Sequence, residues 1–139
     1  MDAFHRELGN VMIERCGISR DAAGLQDGLR AVAALEQRFL SDVRVPGEAQ
    51  GPNPELEKAV RVQDFFGLAE LMLRDALARE ESCGAHFREE HQSADGEAQR
   101  DDTNFAHIAA WEANPDGEPI RHSEPLQFTT LQPTTRRYT

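Results

Sequence analysis

Apolar side chains recur three or four positions apart in the first half of the chain, which is the spacing of one buried helix face. Residues 2–16 carry this pattern, and Gly17 predicts the end of a first helix. A second helix is predicted to begin at Ser19, as its N-cap, and to run to about Val43 with one apolar stripe. Residues 44–53 contain two prolines and two glycines and follow neither period, which predicts a linker.

The third apolar segment, residues 54–81, departs from this one-sided pattern. Its start is predicted by Asn53 as a capping side chain and by Pro54 in the first turn. Between Phe65 and Leu73 apolar side chains fall on every side of the helix. A helix that is apolar all round must be covered all round, so we expect the rest of this chain or a surface of another protein to lie on it.

The helical period stops after Glu81, and the remaining residues are predicted to be turns and extended segments. The spacing of apolar residues in 105–112 suits a strand or a short helix. An Asn-Pro-Asp-Gly sequence at 114–117 predicts a turn, which favours a β-hairpin with 118–122 as its second arm. Residues 126–131 are a further candidate for an extended segment.

The length and the charge limit what the chain can be. A chain of 139 residues fits one domain of average size, and its formal net charge of −10 argues against binding the phosphate backbone of nucleic acids. No apolar run is long enough to span a membrane, and no secretory signal is expected at the start. Two cysteines suggest no disulfide framework, so a reducing cytoplasm is expected.

Two groups of side chains have the spacing of reactive sites. Cys83, His86 and His91 superficially resemble a zinc-binding sequence, but a second pair of ligands is missing, so a polar turn is favoured. Cys83 as a nucleophile with His86 as its base has no orienting group. A second group, Arg100 to Asp102, either clamps a neighbouring loop through charge-assisted hydrogen bonds or is a solvated surface run. No glycine-rich phosphate-binding loop is present.

Three short signatures occur in a distinctive order along the chain. They are Cys16-Gly17-Ile18-Ser19-Arg20-Asp21 with Gly24-Leu25, then Asn53-Pro54-Glu55-Leu56, then Glu81 to Glu89 with Arg100-Asp101-Asp102 and Asn104-Phe105. This order resembles the C-terminal helical domain of succinate dehydrogenase and fumarate reductase flavoprotein subunits. Cys83 stands where many members have arginine, and the segment between Arg88 and Arg100 is longer. These departures resemble features of the subgroup that pairs with a dihaem cytochrome b anchor. The same holds for Trp111-Glu112 and for the ending Arg136-Arg137-Tyr138.

The resemblance implies a mainly α fold. A spectrin-like three-helix bundle is expected over residues 1–81, followed over 82–139 by a loop and an extended arm with a β-hairpin. In such subunits covalent FAD and the catalytic residues belong to domains upstream, so no catalytic residue, cofactor or metal is expected in this chain.

The resemblance also implies partners for the domain. The chain is expected to pack against the flavin domain of the same subunit and the iron–sulfur subunit, and to be inactive alone. It would reach the membrane only indirectly, through a complex on the inner face of the cytoplasmic membrane. The expected interface residues lie in the third signature: Ser82, Cys83, His86, Arg88, Arg100, Asp101 and Asp102.

Two other interpretations compete with this one. An L-aspartate oxidase has similar ancestry, but its chain usually stops soon after the loop that resembles residues 82–102, whereas an arm follows here. A stand-alone helical adaptor predicts a polar outer surface on the third helix, which Phe65 to Leu73 contradict.

Overall fold

The computed structural model describes residues 1–48 and 50–134, and three long helices account for most of them. The helices are α1 (Asp2–Cys16), α2 (Ala22–Asp42) and α3 (Pro54–Ala78). The shorter elements are β1 (Ser19–Arg20), β2 (Phe87–Arg88), α4 (Asp102–Phe105), β3 (His107–Glu112) and β4 (Ile120–Pro125). The chain is therefore mainly helical with a small two-stranded antiparallel sheet, as the sequence predicted.

The three long helices share one apolar core. Phe39 of α2 lies at its centre, with its ring centroid 5.4 Å from that of Phe4 of α1 and 5.4 Å from that of Phe66 of α3. Gly28 permits the close approach of α2 and α3, because a Cβ atom there would lie 2.7 Å from a methyl carbon of Leu73. The core positions are Leu8, Cys16, Leu25, Val32, Leu35, Phe39, Val62, Phe66, Ala69, Leu73 and Ala76.

The N-terminus of α2 lies two residues later than predicted. Asp21 is the N-cap, and its carboxylate accepts a hydrogen bond of 2.8 Å from the Gly24 amide. Ser19 instead belongs to β1, which pairs in parallel with β2, and its hydroxyl donates to Glu89. The pairing holds Ser19 in extended backbone, so the next suitable capping residue begins the helix.

The third helix ends three residues earlier than predicted. Its last helical residue is Ala78, and Arg79 leaves the axis with φ −94° and ψ 94°. The chain must turn here because Glu81 lies buried beneath the helix end and accepts a hydrogen bond from the backbone of Asp101.

The predicted β-hairpin is present as β3 and β4, which pair from His107↔Pro125 to Glu112↔Ile120. Residues 126–131 form no strand, which corrects the expectation of another extended element there. The Arg136-Arg137-Tyr138 ending lies outside the described residues. Within the part of the chain that the structure describes, no helix is long and apolar enough to cross a membrane.

Candidate functional site

The candidate site is the loop that follows α3, and Arg88 is its central side chain. The Arg88 guanidinium is 3% exposed, and its Nη1 donates to the carbonyl oxygens of Ala76 at 2.9 Å and Leu77 at 3.2 Å. These carbonyls belong to the last turn of α3, where no helical amide remains to bond them and the helix dipole is negative. Arg88 therefore acts as a side-chain cap for α3.

Ser82 fixes the backbone on which Arg88 lies. Its fully buried hydroxyl accepts a hydrogen bond of 2.8 Å from the Arg88 amide and donates one of 3.1 Å to the Arg88 carbonyl. Between these residues the chain reverses at Gly84, whose φ of +62° favours glycine. The Cys83 and His86 backbones bond each other across this turn.

Glu81 joins the loop to the Arg100–Asp102 segment. The Glu81 side chain is 2% exposed and accepts hydrogen bonds from the Arg79 guanidinium at 2.6 and 2.8 Å and from the Asp101 amide at 2.8 Å. A buried carboxylate needs such partners, because an unpaired charge is costly away from water. Glu81 is thus a structural link that sequence reasoning did not single out.

His86 connects the loop to the junction between α1 and α2. Its Nδ1 accepts a hydrogen bond of 3.0 Å from the Arg20 guanidinium, so its Nε2 carries the proton and donates to the Arg79 carbonyl at 2.9 Å. Burial lowers the pKa of His86 below its ordinary value of 6.5, and the nearby guanidiniums of Arg20, Arg79 and Arg88 oppose protonation further. His86 is therefore neutral at pH 7.

The two reactive-site readings of this loop find no support in its geometry. Both ring nitrogens of His86 are already hydrogen-bonded, so neither is free to accept a proton from the Cys83 thiol. Within residues 1–48 and 50–134, no group of three histidine, cysteine or acidic side chains is arranged to hold a metal ion.

The second charged group clamps the chain locally. Arg100 forms an ion pair with Asp102. Asp101 caps α4, accepting hydrogen bonds from the amide and the side chain of Asn104 at 3.1 and 2.7 Å. The Asp101 side chain is thus a local helix cap, and within the described part of the chain its carboxylate does not clamp a neighbouring loop.

The structure thus divides the seven expected interface residues by exposure. Ser82, His86 and Arg88 are buried against this chain's own helices. Cys83, Arg100 and Asp101 are half-buried, and Asp102 is exposed.

The N-termini of α2 and α3 do not fit a flavin dinucleotide. Helix N-termini are the usual donors to its phosphates, but the first amides of α2 are already bonded to the carboxylates of Glu90 and Asp21. The first amides of α3 are bonded to the Asn53 side chain.

Comparison with known proteins identifies relatives over almost the whole chain. The family described as "Fumarate reductase flavoprotein C-term" matches residues 5–138. The fumarate reductase flavoprotein subunits of Haemophilus influenzae and Escherichia coli are 31% and 33% identical over 132 residues, which are 95% of this chain and 21% of each relative. L-aspartate oxidase 2 of Ralstonia nicotianae is 31% identical over 120 residues, which are 86% of this chain and 20% of that relative.

Solved structures agree with the sequence relatives. An E. coli quinol fumarate reductase mutant matches with a TM-score of 0.81 at 30% identity, covering 96% of this chain and 22% of that one. A quinol-fumarate reductase with menaquinol molecules matches with a TM-score of 0.78 at 30% identity, covering 94% of this chain and 22% of that one. The chain spans about a fifth of the length of these relatives. On the sequence match and the shared fold together, the chain belongs to the family of fumarate reductase flavoprotein C-terminal domains.

Proposed function

We propose that this chain serves as the C-terminal domain of a respiratory flavoprotein that interconverts succinate and fumarate. The observation that carries the proposal is the match of 95% of the chain to the C-terminal part of fumarate reductase flavoproteins, in sequence and in fold. In this proposal the FAD and the substrate lie in the larger part of the subunit, and the domain supports that part without a catalytic residue of its own.

In the proposed assembly the domain packs against the flavin domain and the iron–sulfur subunit. The loop after α3 supports this role because its buried side chains fix its shape, while Cys83, Arg100 and Asp102 keep part of their surface free for a partner. Ser82, His86 and Arg88 would then contribute by holding the loop in position. The enzyme would associate peripherally with the inner face of the cytoplasmic membrane.

The finer features of the resemblance belong to the same proposal. We propose that residues 1–81 form a spectrin-like three-helix bundle, because α1, α2 and α3 share one core. Residues 82–139 are proposed to form a loop and an extended arm that packs on this bundle or on a partner. The longer segment between Arg88 and Arg100 and the Trp111-Glu112 strand favour an enzyme that pairs with a dihaem cytochrome b anchor.

An exchange of domains tests the proposal. This chain would replace the matching C-terminal segment of the E. coli fumarate reductase flavoprotein subunit, and we call the product the exchange subunit. It is expected to bind flavin and to co-purify with the iron–sulfur subunit, whereas the same subunit lacking the segment is expected to do neither. Failure of the exchange subunit on both counts contradicts the proposal.

The L-aspartate oxidase relative supports a second candidate function. Matched length does not separate the two, because fumarate reductases match over 84 to 132 residues of this chain and L-aspartate oxidase 2 over 120. A parallel exchange into the Ralstonia enzyme provides the test. Flavin binding and L-aspartate oxidation restored in that enzyme, with no restoration in the E. coli subunit, would favour the second candidate.

The proposal also predicts that the isolated chain is inactive. The purified protein is expected to be colourless in the visible range and to show no fumarate-dependent turnover with a reduced electron donor. A bound yellow flavin would place a cofactor site in this chain and would overturn this part of the proposal.

A further inference from the structure

An open groove runs between α3 and the β3–β4 hairpin. It has a volume of about 380 Å³ and a largely apolar lining. Leu68 and Met72 of α3 form one wall, Ala109 and Trp111 of β3 form the other, and Cys16 lies in the lining between α1 and α3.

Polar side chains join the β3–β4 hairpin to α3 at one edge of the groove. Asp75 accepts a hydrogen bond of 3.0 Å from the Trp111 indole, and the Arg121 guanidinium approaches the same carboxylate oxygen at 3.6 Å. Arg74 bonds Glu118 near the hairpin turn at 3.1 Å. The hairpin therefore contacts α3 through these polar side chains, and the apolar groove beside them stays open.

The apolar wall of α3 is not covered by the described part of this chain. Leu68 and Met72, which lie four positions apart on one stripe of the helix and line the groove, are 55% and 47% exposed. These residues belong to the segment 65–73, in which the sequence places apolar side chains on every side of the helix. Their neighbours Phe66, Ala69 and Leu73 face the core and are buried. The exposed apolar stripe is therefore a candidate surface for a contact with another part of the protein.

We propose that this groove is the docking surface for the flavin-binding part of the subunit, which inserts an apolar segment between α3 and β3. The inference rests on the proposed function and names the surface through which it operates. The length of the relatives supports this occupant, since the region like this chain is 21% of each and about four fifths of the same polypeptide is therefore available to cover the groove.

Charge argues against a second copy of this chain as the occupant. Each copy carries a formal charge of −10, so pairing two copies through one groove would bring like charges together.

The matched pair Leu68→Asp and Leu40→Asp tests the groove. Leu68 lines it, Leu40 lies on α2, and both are 55% exposed in this chain. Because both side chains already face water here, both variants of the isolated chain are expected to keep the thermal midpoint of the parent to within a few degrees.

The discriminating measurement uses the exchange subunit with a protease site engineered at the junction. After cleavage, the flavin-binding part and this chain are expected to co-elute in size exclusion for the parent and for Leu40→Asp. For Leu68→Asp the two parts are expected to separate, because a carboxylate would be buried in an apolar contact without a partner. If the same fraction of the two parts co-elutes for Leu68→Asp as for the parent, the inference is overturned.

A photocrosslink identifies the occupant directly. With Leu68→p-benzoylphenylalanine in the exchange subunit, the crosslinked peptide is expected to come from the flavin-binding part, and Leu40→p-benzoylphenylalanine is expected to give no such peptide. A crosslink from position 68 to a second subunit, or to this chain alone, contradicts the inference. An exchange subunit that binds no flavin would instead refute the proposed function, so the two failures are distinguishable.

Discussion

Replacing Arg88 with methionine removes the guanidinium that caps α3 and keeps most of the apolar stem of the side chain. The change leaves the carbonyls of Ala76 and Leu77 without their charged donor, at the negative end of the helix dipole. It also breaks the 3.2 Å ion pair with Glu90, whose side chain is 41% exposed and can be hydrated instead.

The magnitude follows from these contacts. A hydrogen bond to a charged group contributes about 1.5 to 3 kcal/mol, and a buried acceptor left unpaired costs about 1 to 3 kcal/mol. The two bonds share one nitrogen atom, so their contributions are not additive. The ion pair with Glu90, which stays hydrated on its acidic side, adds about 1 kcal/mol or less. We expect Arg88→Met to lower the free energy of unfolding by about 3 kcal/mol.

Urea denaturation of the isolated chain, followed by far-UV circular dichroism, measures this change. With an m-value of about 2 kcal/mol/M, the midpoint is expected to fall by about 1.5 M. Arg61→Met is the matched control, because Arg61 bonds Glu57 one turn away on α3 with its side chain 67% exposed. The control is expected to cost about 0.5 kcal/mol or less. Equal midpoints for the two variants would refute the role of Arg88 as a helix cap.

Three further predictions concern other parts of the fold. Burial lowers the pKa of His86, so the unfolded chain binds a proton at this residue more readily than the folded chain does. The stability due to neutral His86 is therefore present above pH 6.5 and lost as the pH falls through the folded-state pKa. His86→Gln is expected to reduce the change of the urea midpoint between pH 7 and pH 5. Asp75→Ala is expected to shift the emission of Trp111, the single tryptophan, to longer wavelength and to increase its quenching by acrylamide, whereas Asp64→Ala on the same helix leaves both unchanged. Asp21→Ala is expected to cost about 1 kcal/mol in thermal unfolding as the loss of an N-cap, and an equal or larger cost for Ser19→Ala would contradict the assignment of the cap.

The long helices were predictable because their signals are local. Apolar spacing and the Asn53-Pro54 start lie within the segments that they define, and the structure places α1 and the start of α3 where the sequence did. The hairpin was predictable for the same reason, since the turn at 114–117 lies between the two strands that it joins.

The start of α2 and the end of α3 were predicted wrongly because they depend on contacts between residues that are distant in sequence. Ser19 and Asp21 are both good capping residues, and the choice between them follows from the pairing of Ser19 with Phe87. At the end of α3, Glu81 is buried against Asp101 and Arg88 bonds the last carbonyls, and no period within the helix reveals either contact.

The segment after α3 was predicted to be a turn-like loop, which the structure confirms, but its internal contacts were not predicted. Charged residues are mostly exposed, so sequence reasoning gave no sign that the side chains of Glu81 and Arg88 would be buried. A buried charge needs a partner, and the partners here come from the end of α3 and from residue 101. The docking role of the loop stays a prediction, and the exposed stripe of α3 adds a second surface to test.

The rate of fumarate reduction by the exchange subunit tests the central claim most directly. The rate would be measured with a reduced artificial electron donor, per mole of polypeptide, beside the E. coli parent subunit and the subunit lacking its C-terminal segment. This chain is expected to restore turnover that the truncated subunit lacks. Turnover no higher than that of the truncated subunit, from an exchange subunit that is soluble and folded, would contradict it.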